Sequence, residues 1–151
     1  MARKPDEAEI IFRFFNEIGI IQQLSSTLFN RRLPDGLHVS HFSVLNHLSK
    51  RDFGETPLQL ADAFQVSKGT MTHTLGVLTN RGFIQLEPHE TDGRSKIVSL
   101  TDKGRTFRQQ AIARLGPGMA KLGALMDVEM LWDMLPELET IRVILDENRD
   151  I

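Results

Sequence analysis

Two clusters of hydrogen-bonding side chains carry the clearest chemistry in this chain: Ser67, Lys68, Gly69, Thr70, Thr72 and His73 in one, Asp92, Arg94 and Lys96 in the other. Hydroxyl, ammonium and guanidinium groups donate to phosphate oxygens and to acceptors on base edges. Binding is therefore the expected chemistry, and bond-making is not. The chain has no cysteine nucleophile, no Gly-x-Ser-x-Gly elbow, no Gly-rich phosphate loop and no metal-binding His-Glu pair. His38 and His41 have a helical i, i+3 spacing with His47 beyond them, but zinc needs a third ligand, which no defensible spacing supplies. No enzyme activity, metal or cofactor is expected.

Positioning these groups falls to the stretch from Thr56 to Thr101. Thr56, Pro57 and Gln59 form an N-cap, a first-turn proline and a capping-box partner, so a short helix starts there. Ser67 caps a second helix, in which Met71, Leu75 and Leu78 recur at i, i+4 and i+7 as one buried stripe ending at Gly82. The residues off that stripe are the first cluster, and the amides at the helix start favour a phosphate. Phe83 to Leu86 and Ile97 to Leu100 read as strands around a loop from Glu87 to Lys96, which contains Pro88, Asp92 and Gly93. Arg94 at the tip can enter a narrow minor groove, and Asp92 can hold its side of the loop. Lys96, Lys103 and Arg105 can face phosphates. Two helices, a turn and a charged hairpin in this order predict a winged helix-turn-helix.

Long apolar segments flank this reader. Glu7 to about Phe29 is helical with Ile10, Ile11, Phe14, Phe15, Ile18, Ile21, Leu24 and Leu28 on a stripe too wide for one partner. A second helix turns Phe42, Leu45 and Leu48 inward. After Thr101 a helix runs to about Leu115, where Gly116-Pro117-Gly118 should break it, and Asp127 caps a last helix that passes Pro136. The fold class is mainly α with a small β-hairpin wing: one domain over residues 1–151, with scaffold helices at about 7–50 and 105–148 and the reader at 55–104. A homodimer joined by the terminal helices is expected, a monomer whose termini cover its own reader being the alternative. The 151 residues are 40% hydrophobic and 25% charged, the balance of an ordinary globular domain. No apolar run approaches the roughly 18 residues that span a bilayer, and Met1 to Asp6 is too polar for a signal peptide, so a cytoplasmic protein without membrane contact is expected. The net charge of −2 excludes a histone-like binder, although residues 56–105 carry six Lys and Arg against five Asp and Glu, the most favourable balance in the chain.

The ordered set Thr56-Pro57-Leu58-Gln59-Leu60-Ala61, Ser67-Lys68-Gly69-Thr70-Met71-Thr72, Arg81-Gly82-Phe83-Ile84, Asp92-Gly93-Arg94-Ser95-Lys96 and Val98 to Gly104 resembles the MarR family of winged-helix transcription regulators over nearly the whole chain. It departs from that pattern at His73 and Glu87, where basic residues are common. The resemblance implies a homodimer on double-stranded DNA, with the helix from Ser67 in the major groove and the wing in the minor groove. It also implies repression relieved by a small aromatic or apolar acid, whose pocket would fall near Phe14, Phe15, Ile18, His41 and Leu45. The competing reading is a winged helix that serves as a protein-interaction module without specific DNA binding.

Overall fold

Local capping signals, each satisfied by a bond three residues away, fix where the helices begin. The computed structural model describes residues 5–151 as α1 (Glu7–Asn30), a single 3-10 turn (Pro34–Gly36), α2 (Val39–Leu48), α3 (Pro57–Phe64), α4 (Lys68–Asn80), β1 (Ile84–Pro88), β2 (Lys96–Leu100), α5 (Asp102–Gly123) and α6 (Val128–Glu147). The first four residues of the polar start weighed against a signal peptide lie outside this range. The Asp6 carboxylate accepts from the Glu9 amide at 2.8 Å, and Asp127 from that of Met130 at 3.1 Å. Thr101 accepts from the Gly104 amide at 3.0 Å. No helix among the described residues is long and apolar enough to cross a membrane.

The chain divides into two compact units, one up to Leu115 and one from Gly116 to Ile151. In the first, Val44, Leu45, Leu60, Leu78 and Val98 are fully enclosed at the meeting of α2, α3, α4 and the hairpin. Each such aliphatic side chain stabilises the fold by about 1.5–3 kcal/mol relative to exposure, so this cluster fixes the seating of α4. The inner stripe of α2 is His41, Val44, Leu45 and Leu48, with Phe42 only half-buried at its margin.

β1 and β2 pair antiparallel, with Ile84 opposite Leu100, Leu86 opposite Val98 and Pro88 opposite Lys96. The strands differ from the sequence expectation at both ends. Phe83 belongs instead to the close of α4: Gly82 turns at φ +72°, and the Phe83 amide reaches back to the Leu78 carbonyl at 3.0 Å. Glu87 and Pro88 extend the strand, since a proline is tolerated at the last rung of a hairpin edge. Glu55 adds a third, one-residue strand by exchanging two backbone bonds with Val98, at 3.2 and 2.8 Å. Gly54 and Gly104 permit this packing. A Cβ at Gly54 would lie 2.5 Å from the Val98 carbonyl oxygen, and one at Gly104 would lie 2.0 Å from that of Phe83.

Gly116-Pro117-Gly118 does not break α5, which runs from Asp102 through Gly123. The proline deprives only one carbonyl, that of Ala113, of its donor, and this residue is exposed where water can serve it. Helix-forming residues on both sides, Ala111 to Leu115 and Met119 to Leu122, carry the helix across. The motif instead coincides with the boundary between the two units. In the second unit α6 remains helical through Pro136.

Neither α1 nor α6 has a buried residue. Ile11, Phe12, Ile21 and Leu24 on α1 are exposed, as are Leu125 in the turn before α6 and Val128 and Trp132 at its start.

Candidate nucleic-acid interface

α4 projects a polar face because its opposite face is anchored. Met71, Thr74, Leu75 and Leu78 are buried, while Ser67, Lys68, Gly69, Thr70, Thr72 and His73 are all exposed. The tight turn from α3 into α4 depends on Gln65, held at φ 51° by amide bonds from Gln65 to Asp62 and from Val66 to Ala61. Ser67 Oγ accepts from the Thr70 amide at 3.1 Å and lies 2.9 Å from Thr70 Oγ1, so the two hydroxyls preorganise each other at the helix start. At the other end, Arg81 Nη2 donates to the Asp35 carbonyl at 2.7 Å, across 46 residues of sequence. A helix clamped at both ends presents its donors in fixed positions, as base and phosphate recognition would require.

The wing is built with the same economy. The Asp92 carboxylate accepts from the Arg94 amide through Oδ1 at 3.0 Å and from the Ser95 hydroxyl through Oδ2 at 3.1 Å. Asp92 therefore grips the backbone of the loop and leaves the Arg94 guanidinium exposed and without a partner among the described residues. Lys96 is exposed opposite Pro88, at the mouth of the loop. Ser95 and His89 are shaping residues that sequence reading missed: the His89 amide donates to the Ser95 carbonyl at 2.9 Å, and Nδ1 of its ring accepts from the Thr91 amide at 3.2 Å. The i, i+3 spacing of Asp92 and Ser95 was the available signal. Lys103 lies over the Phe83 ring at 5.6 Å, while Arg105 lines a separate cleft.

The five residues expected to hold a ligand are dispersed. Phe14 and Phe15 make an edge-to-face pair at 5.4 Å on α1, Ile18 is half-buried, and Leu45 and His41 belong to the buried face of α2. None of the five lines the open pocket of about 500 Å³ bordered by Gln22, Ser26 and Asn30 of α1, the start of α2, Phe64 and Val66, and Thr70, Met71 and Thr74 of α4. The phenylalanines sit too far back along α1: from Phe15 to Ser26 the helix rises about 16 Å.

His41 has a different part. The His38 amide donates to its Nδ1 at 3.0 Å, closing the start of α2 and requiring that nitrogen to be unprotonated. Burial, then the charges of His38, His73 and Arg81, hold the imidazole below its ordinary value of 6.5. The unfolded chain thus takes up a proton near 6.5 that the folded chain refuses, so stability is complete above that pH and declines as pH falls from about 6.5 towards the folded value. The melting temperature should drop between about pH 7 and pH 5.5, and His41→Gln should flatten that slope. An equal slope in the variant assigns the effect to other groups.

The profile of the MarR family matches residues 35–95, from the 3-10 turn to the wing. An uncharacterized HTH-type transcriptional regulator of Mycobacterium leprae is 31% identical over 84 residues, which span 56% of this chain and 58% of that protein. The HTH-type transcriptional repressor YetL of Bacillus subtilis is 26% identical over 141 residues, 85% of this chain and 82% of that protein. A crystal structure of mutant MarR from E. coli complexed with operator DNA shares the fold, with a TM-score of 0.74 at 22% identity over 91% of this chain and 99% of that one.

Proposed function

We propose, from the match of residues 35–95 to the MarR family, that the chain is a sequence-specific DNA-binding transcription regulator of that family, a ligand-responsive repressor acting as a homodimer on a pseudo-palindromic operator. One observation carries the reading: the exposed face of α4 from Ser67 to His73 accompanies a stiffened wing whose Arg94 guanidinium is free. In this arrangement α4 enters the major groove, Ser67 and Thr70 meet phosphate or base edges, Lys68, Thr72 and His73 follow along the helix, and Arg94 and Lys96 reach the adjacent minor groove and its backbone. Support for the dimer comes from the uncovered apolar residues of α1 and α6, which two copies would bury through the first helix and the last two. The effector is a small aromatic or apolar acid, placed in the cavity between α1 and α4, whose volume of about 500 Å³ suits such a molecule. Thr70 lines that cavity and also stands on the DNA-facing turn of α4, so an occupant there acts on the reading helix directly.

Sedimentation velocity tests all three parts. The protein alone should run at about twice its 17.1 kDa chain mass. A duplex from the region upstream of its own gene should co-sediment with one dimer and not be displaced by random-sequence DNA. An aromatic carboxylate that stabilises the dimer thermally should release the duplex. A monomer at micromolar concentration, or equal binding to any sequence, overturns the corresponding part.

A further inference from the structure

We propose a second, anionic ligand site, separate from the reading face, in the cleft between the end of α2 and the first turns of α5. This cleft of about 270 Å³ is lined by Ser49, Lys50, Leu100, Arg105, Arg108 and Gln109. Three of the six residues are cationic, and none of the lining is acidic. Among the described residues, Lys50, Arg105 and Arg108 take part in no ion pair. Glu55 is engaged by Arg51 at 3.0 Å and by His47 at 2.9 Å, and Asp102, three residues before Arg105 on α5, is exposed and outside the lining. Arg108 is half-buried, and its Nε donates to Asn46 Oδ1 at 3.0 Å, which fixes the plane of the guanidinium and leaves its two terminal nitrogens for a ligand. Arg105 and Arg108 stand at i, i+3, where like charges repel, so the unliganded arrangement is strained electrostatically in a way that a bound anion relieves.

The ligand is a phosphate-bearing small molecule. Three convergent cations call for a group of charge −2 or more, and a guanidinium held in one plane matches the paired oxygens of a phosphate. The cleft holds one phosphate or pyrophosphate group, and its open side, bordered by the exposed Lys50 and Arg105, leaves room for an attached moiety. An occupant ties the end of α2 to the first turns of α5.

Isothermal titration with inorganic pyrophosphate, at an ionic strength fixed with sodium chloride, tests the site. The expected result is saturation at one site per chain, with Lys50→Ala and Arg105→Ala each weakening the affinity by about tenfold or more. Both side chains are exposed, and the variants should melt as the parent does in the absence of pyrophosphate. General salting-out stabilisation by phosphate would survive in both variants. Absence of saturable heat, or unchanged affinity in both variants, overturns the proposal. So does a Lys50→Ala protein that loses its mobility shift with DNA while the parent binds no pyrophosphate, because the cations would then serve the DNA backbone.

Discussion

Raising the salt concentration from about 50 to about 200 mM should lower operator affinity roughly a thousandfold. Each chain carries three cations in the proposed interface, Lys68, Arg94 and Lys96, all exposed. A dimer therefore neutralises on the order of six phosphates, and the slope of log affinity against log salt is about −5. The amides at the start of α4 add phosphate contacts without steepening the slope, since they displace few counterions. With a net charge of −2 the protein has no general attraction to DNA, so these local contacts set the dependence. Fluorescence anisotropy across a series of potassium chloride concentrations measures it. A slope near zero would remove phosphate contacts from the mechanism and restore the competing reading, a winged helix that binds protein.

The elements that could be read from sequence are those whose determinants lie within a few residues of each other. Thr56 with Gln59, Ser67 with Thr70, Thr101 with Gly104 and Asp127 with Met130 each form a bond across three residues, and each helix start falls where the capping pattern puts it. The stripe of Met71, Leu75 and Leu78 is equally local and is buried throughout. Features set by distant contacts were not legible. The third strand at Glu55 exists because Val98 presents its backbone there, and Phe83 leaves the strand because the closing turn of α4 claims its amide. Gly116-Pro117-Gly118 looks like a breaker when only its own cost is counted, whereas the outcome depends on the turns either side. The cavity beside α4 shows the same limit. It is formed by the final third of α1, and the aromatic residues that drew attention to a ligand site lie several turns earlier.

Replacing Arg94 by alanine should cost about 1–3 kcal/mol of DNA binding, a loss of roughly 5- to 150-fold, without altering the fold. The wing geometry separates these two effects. Its loop is closed by Asp92 on the Arg94 amide and the Ser95 hydroxyl and by the His89 amide on the Ser95 carbonyl, and none of these bonds uses the Arg94 side chain. The guanidinium is exposed and has no partner among the described residues, so Arg94→Ala removes the group proposed to meet DNA and leaves the loop intact. Preorganisation by Asp92 implies a companion result. Asp92→Ala frees the loop, and the entropy of holding Arg94 in a groove then falls on the binding step, so this variant should weaken binding while retaining the guanidinium. A minor groove narrowed by A·T base pairs concentrates negative potential, so the Arg94→Ala loss should be larger on duplexes with A-tracts at the wing position than on G·C-rich ones. Anisotropy titrations of the parent and both variants on the two duplexes measure these differences, with sedimentation of each variant as the control for assembly. Equal affinity of Arg94→Ala and parent on both duplexes would falsify minor-groove insertion by the wing and leave α4 as the sole reader.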